Sequence, residues 1–135
     1  MLNQFSRTEL LLGREAMDRL AASHVAVFGI GGVGGYTAEA LVRSGIGAID
    51  LIDDDKVCLT NINRQIYATR KTIGQYKVDA AAERITEINP DVVIDTHKTF
   101  YLPEVADQFD FSKYDYVVDA VDTVTAKLAL AEAAT

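Results

Sequence analysis

One cysteine, Cys58, stands in a chain of 135 residues. That scarcity excludes an internal disulfide and any Cys-x-x-Cys zinc site within this sequence. Long apolar runs are missing as well. No stretch approaches the roughly eighteen apolar residues that span a bilayer. Met1-Leu2-Asn3-Gln4-Phe5-Ser6-Arg7 has no apolar run of the kind a signal peptide carries, so the expectation is a cytoplasmic protein. A basic surplus is lacking too: 13 Lys and Arg stand against 20 Asp and Glu, a net charge of −7, which argues against a tight nucleic-acid binder. No repeat or low-complexity tract occurs. What is present, 49% apolar and 24% charged residues, is the composition of a soluble globular domain large enough for one core.

Strand and helix signals alternate along the chain. Ser6-Arg7-Thr8-Glu9 fits a capping box and predicts a helix from near Arg7. Gly13 breaks it, and Arg14 to Ala22 forms a second helical piece with Met17, Leu20 and Ala21 on one face. Val25 to Phe28 is an apolar strand without alternation, as expected when helices cover both faces. A helix from Gly34 to Arg43 closes at Ser44-Gly45. The second strand is Ala48 to Ile52, followed by a short helix or ordered loop at Asn61 to Thr69. Lys77 to Asn89 is a helix with Val78, Ala81, Ala82, Ile85 and Ile88 on one face, stopped at Asn89-Pro90. The third strand is Val92 to Thr96, a short helical stretch opens at Pro103, and the fourth strand is Tyr116 to Val121. A last helix begins near Thr123. This pattern predicts an α/β, Rossmann-like, doubly wound and mainly parallel sheet ordered 3-2-1-4, with a helical N-terminal extension. A fifth strand should follow the last helix, so residues 1–135 are expected to be the N-terminal part of a truncated domain.

In such a sheet, ligands bind at the carboxyl ends of the strands where the strand order reverses. Three features converge there. Gly29, Gly31 and Gly34 form G-x-G-x-x-G between a strand and a helix, which lets backbone amides face a phosphate. The alternative is a tight turn that packs helix on sheet. Asp53 ends the second strand, where a carboxylate accepts from ribose hydroxyls; Asp54 and Asp55 extend it as an acidic run that also suits a solvated edge. Asp122 follows the fourth strand and suits either Mg²⁺ held against a triphosphate or a helix N-cap. Asp119 reads as a loop organiser. Asn61, Asn63 and Arg64 lie where they reach the phosphates. Arg64 and Lys77 are the candidate phosphate cations. Lys77 opens its helix, the unfavourable end for a cation, which suggests a task beyond stability; the alternative is an ordinary surface lysine. Cys58 reads as a small buried apolar residue; the alternative, a nucleophile, lacks a histidine nearby in sequence. His24 and His97 sit at strand edges without a pattern, and Tyr114 and Tyr116 read as packing residues.

Gly29-x-Gly31-Gly32-x-Gly34, Asp53-x-Asp55, Asn61-x-x-Arg64-Gln65, Lys77 and Asp122, taken together, resemble the adenylation domain of the ubiquitin-activating-enzyme-like superfamily. Thr60-Asn61-Ile62-Asn63-Arg64-Gln65-Ile66, and Asp119-Ala120-Val121-Asp122 followed by Thr123-Val124-Thr125-Ala126-Lys127, are similar to its tRNA threonylcarbamoyladenosine dehydratase branch. The resemblance implies ATP and Mg²⁺ as cofactors. Gly29, Gly31, Gly32 and Gly34 would bind the nucleotide together with Asp53 on the ribose, Asp55 and Gln65. Asn61, Arg64 and Lys77 would hold the phosphates and Asp122 the metal. Arg7 resembles an arginine that the superfamily sends across a homodimer interface to the γ-phosphate. Arg64, Lys77, Asp122 and Arg7 are thus the implied catalytic set. The resemblance further implies tRNA as substrate through a C-terminal part, a sulfur-transfer partner protein, and any membrane association through a C-terminal segment outside this chain. Two alternatives stay open: an adenylyltransferase acting on the C-terminal glycine of a ubiquitin-like sulfur carrier, and an NAD-binding oxidoreductase or regulatory module, against which Asn61, Arg64 and Lys77 argue.

Overall fold

In the computed structural model, which describes residues 2–135, four parallel strands form one sheet in the order β3-β2-β1-β4. They are β1 (His24–Phe28), β2 (Ala48–Ile52), β3 (Val93–His97) and β4 (Tyr116–Asp119). Five α-helices accompany them: α1 (Ser6–Leu12), α2 (Arg14–Ala21), α3 (Gly32–Ser44), α4 (Lys77–Ile88) and α5 (Val124–Ala134). The expected α/β class, strand order and helical extension are all present.

Period-two alternation within apolar strands decides the layering. Val25 and Val27 of β1 and Ile49 and Leu51 of β2 join the core under α3 and α4, where Ala38, Val42, Val78 and Ile85 meet them. Ala26, Phe28 and Ile52 point to the opposite face and join Tyr101, Phe109, Ala126 and Leu130. α2 docks at the amino ends of the strands: the Gly47 amide donates to the Leu20 carbonyl at 3.0 Å, and the Ala48 amide to Ser23 at 3.1 Å. Among the described residues, no helix is long and apolar enough to cross a membrane.

Some boundaries differ from expectation, each for a local reason. The capping box does not form. Asn3 makes the turn instead, its Oδ1 accepting from the Phe5 amide at 2.8 Å, while Ser6 Oγ accepts from the Asn3 amide at 2.7 Å. α3 begins two residues early, at Gly32. β4 stops at Asp119 rather than Val121, because β1 ends opposite it at Phe28 and the Asp119 carboxylate turns the chain by accepting from the Val121 amide at 3.2 Å. β3 runs one residue later than expected, in register with β2 from Ala48↔Val93 to Ile52↔His97. Cys58 is exposed, not buried. Its amide is tied to Asn61 Oδ1 at 2.9 Å, and its thiol faces out toward Thr60 Oγ1 at 3.3 Å.

His24, His97 and Tyr114 are neither patternless nor mere packing. All three converge on the buried Asp50 carboxylate, at 2.6 Å from His24 Nε2, 3.0 Å from His97 Nε2 and 2.9 Å from the Tyr114 hydroxyl. A buried anion with three hydrogen-bond partners is a satisfied one.

Candidate active site

A cleft of about 840 Å³ opens at the carboxyl ends of the strands, within the size range of small-molecule pockets. Its floor is the glycine loop. Gly29 has φ +92°, and a Cβ there would lie 2.5 Å from the Ala120 carbonyl oxygen, so the loop passes the backbone just after β4 at a distance only glycine permits. A side chain at Gly34 would overlap the Gly29 carbonyl. Gly34 therefore packs the turn and does not line the cleft, whereas Gly29, Gly31 and Gly32 line it. The first backbone bond of α3 runs from Gly35 to the Gly31 carbonyl at 3.0 Å. The amides of Gly32, Val33 and Gly34 consequently lack intrahelical acceptors, and with the helix dipole they form an anion-ready end.

One wall is the segment between β2 and α4. Backbone bonds staple its base: Lys77 to Asp55 at 2.9 Å, Val57 to Gln75 at 2.8 Å and Gly74 to Val57 at 2.9 Å. The staple brings Asp55 and Lys77 together although 22 residues separate them (77 − 55). Lys77 is 8% exposed, and its Nζ lies 3.7 Å from Asp55 Oδ2, a loose pair that leaves the ammonium free to take a second anion. Asn61 and Gln65 are buried in the same wall. One terminal nitrogen of the Arg64 guanidinium is held, Nη1 donating to the Thr60 carbonyl at 3.0 Å and to Asn63 Oδ1 at 2.8 Å. Among the described residues no carboxylate pairs with its guanidinium. Asn63, read as phosphate-reaching, instead braces Arg64 and does not line the cleft.

Asp53 is the hinge of the site. Its Oδ2 accepts from the Ile30 amide of the glycine loop, and its Oδ1 from the Asp55 amide, both at 2.8 Å. Burial raises its carboxyl above the usual range, and the two backbone hydrogen bonds do not fully offset it. Each oxygen keeps a second lone pair for a ligand hydroxyl. Asp54 and Asp55 complete an acidic rim. On the opposite side, Asp122 lines the cleft as an exposed carboxylate. It does not cap α5, whose N-cap is Thr123. Asp119 binds Lys127 Nζ at 3.2 Å, in keeping with an organising part. Arg7 lies exposed on α1, outside the cleft. The third wall, Thr99, Phe100 and Tyr101 after β3, was not anticipated, although its position at a strand's carboxyl end follows the same rule that pointed to Asp53 and Asp122.

The parallel sheet, the glycine loop at its reversal point and the charged cleft beside it define a Rossmann-like α/β domain. The sequence model of the ThiF family matches residues 5–135, and the chain belongs to that family. The tRNA threonylcarbamoyladenosine dehydratase of Bacillus subtilis (strain 168) is 50% identical over 130 residues, 96% of this chain and 51% of that protein. The solved E. coli tRNA N6-threonylcarbamoyladenosine dehydratase in complex with ATP matches with a TM-score of 0.91 and 47% identity, over 94% of this chain and 52% of that one. Ubiquitin-like modifier-activating enzyme 5 of Drosophila willistoni is 40% identical over 126 residues, 84% of this chain and 30% of that protein. The chain thus spans about half the length of the two dehydratases.

Proposed function

We propose that this chain is the ATP-binding part of an adenylating enzyme that dehydrates tRNA threonylcarbamoyladenosine to its cyclic form. A carboxylate is a poor electrophile until one oxygen becomes a good leaving group. Attack of the substrate carboxylate on the α-phosphorus expels pyrophosphate. An internal nucleophile of the activated nucleoside then closes the ring and releases AMP. Both steps build charge on phosphate oxygens, and fixed cations and amides lower that cost.

The observation that carries this reading is the meeting of unpaired donors in one cleft: the amides at the start of α3, the free face of the Arg64 guanidinium and the loosely paired Lys77 ammonium. In the proposal, Gly29, Gly31 and Gly32 cradle the phosphates, and Gly34 lets the turn close. Asn61, Gln65, Arg64 and Lys77 hold the phosphates, and Asp53 with Asp55 takes the ribose. Asp122 fits Mg²⁺, which takes one or two carboxylates plus phosphate oxygens; the bound ion would neutralise phosphate charge. Arg7 would complete the site of a second copy in a homodimer. The C-terminal half of the whole protein would supply the tRNA contacts and the surface for a sulfur-transfer partner. ATP and tRNA as substrates make this a cytoplasmic reaction, and residues 1–135 the N-terminal part of the adenylation domain.

The similarity to modifier-activating enzymes favours a second reading, activation of a ubiquitin-like carrier's C-terminal glycine, because the same cleft serves either carboxylate. Mass analysis of nucleosides from tRNA incubated with the whole protein and MgATP distinguishes them. Loss of 18 Da from threonylcarbamoyladenosine, the mass of one water, is expected. ATP–pyrophosphate exchange that requires a carrier protein, with no change in tRNA, would replace the first reading by the second. Calorimetry in which NAD binds and MgATP does not would overturn both.

A further inference from the structure

Tyr67 plays no part in the cleft's lining, yet it is 3% exposed and lies directly beneath the glycine loop. Its ring rests on α3 where Gly35 stands: a Cβ on Gly35 would meet Tyr67 Cε1 at 2.9 Å and Cδ1 at 3.3 Å. From there the hydroxyl reaches up and donates to the carbonyl oxygen of Ile30, 37 residues away in sequence. The side-chain amide of Gln65 lies 3.2 Å from the same hydroxyl. Ile30 is fully buried, and its amide already donates to Asp53 at 2.8 Å. Both polar groups of this one loop residue are therefore fixed by side chains from other segments, its N–H by the end of β2 and its C=O by the segment before α4.

That arrangement has a consequence for the anion site. The peptide joining Ile30 to Gly31 immediately precedes the amides that face the cleft, so its tilt sets the direction in which those N–H groups point. Glycines on either side provide no side chains to hold it. We propose that Tyr67 is a positioning residue for the phosphate-binding loop, acting through the Ile30 carbonyl, and that Gly35 is glycine because the Tyr67 ring occupies the space of its side chain. This rests on the ATP reading of the cleft. Burial, and then the negative charges of Asp53 and Asp55, push the phenol far above its ordinary range, so it stays a donor throughout the physiological span.

The test is Tyr67→Phe, which keeps the ring on Gly35 and removes only the hydroxyl. Calorimetry on the complete protein should show MgATP binding weakened by about fivefold to tenfold, the worth of one buried hydrogen bond, while adenosine, which has no phosphates, binds as before. Hydrogen exchange should quicken at the Ile30 and Gly35 amides. Gly35→Ala, which displaces the ring without touching the hydroxyl, should repeat both effects and serves if the first variant folds poorly. Equal losses for ATP and adenosine, or unchanged ATP binding with unchanged exchange in both variants, would overturn the positioning role while leaving the ATP reading intact. Failure of the unaltered protein to bind MgATP would overturn both.

Discussion

Asp50 and Asp53 leave the same strand three residues apart, and their surroundings are opposites. Asp50 is 4% exposed. Burial alone would raise its carboxyl, yet hydrogen bonds from His97, His24 and Tyr114 outweigh it and hold the group below its ordinary value. Asp53 receives only backbone amides, and burial wins, raising it. The same division separates the two polar regions of the molecule. Around Asp50 three side chains reach the one carboxylate within 3.0 Å. Around Asp53 the amides at the start of α3 lack intrahelical acceptors, Arg64 and Asp122 line the cleft without an ion-pair partner among the described residues, and Lys77 has its one carboxylate at 3.7 Å. Polar groups that satisfy one another make structure; those left unmatched at a cleft await a ligand.

The comparison breaks most visibly at Asp50. Asp50→Ala strands two imidazoles and a phenol around an emptied site and should lower unfolding stability by about 3 kcal/mol, in the range for removing one member of a buried charged pair. Urea denaturation measures it, and a loss under about 1 kcal/mol would mean the cluster is not structural. Arg64→Ala should do the reverse. It removes a charge-assisted contact worth about 1.5–3 kcal/mol of MgATP affinity while stability moves by under about 0.5 kcal/mol. Calorimetry beside a melting curve reads both, and an equal fall in the two would erase the distinction.

The smallest effect is in pH dependence. Hydrogen bonding to Asp50 raises His97 above its ordinary 6.5, against the opposing cost of burial. A raised histidine stabilises the fold fully below its unfolded pKa, and that contribution fades as pH rises through the folded value. A lowered Asp50 acts on the other side: its contribution holds above the unfolded value near 3.8 and is lost as pH falls through the folded one. Stability should therefore decline as pH rises past 6.5, and His97→Gln should remove that decline. A variant whose pH profile matches the parent's would show that His97 does not titrate with folding.

Much of this was readable from one dimension. Val25 to Phe28, Ala48 to Ile52 and the helix from Lys77 declare themselves through local periodicity, and the parallel order follows because alternating strands and helices can close in few ways. The glycine loop, Asp53 and Asp122 follow from the rule that ligands sit at strand carboxyl ends. Other features resisted. Ser6 and Glu9 spell a capping box, but the Asn3 carbonyl takes the Ser6 amide and the Phe5 carbonyl the Glu9 amide, which makes a different turn. His24, Asp50, His97 and Tyr114 come from three strands and a loop, and nothing local marks them as a set. Gln65 was read from its motif, while Tyr67, two residues on, had no motif to announce it.

The amino-acid order alone determined the α/β class, the strand order and the candidate nucleotide end of the sheet, because propensity, alternation and glycine's freedom act between near neighbours. Only the tertiary structure decided which charges find partners. Asp50 is hydrogen-bonded by imidazoles 26 and 47 positions away, and the Ile30 carbonyl is held by a phenol 37 positions on. Such pairings depend on which side chains the packed sheet brings within 3 Å, and no local pattern encodes that distance.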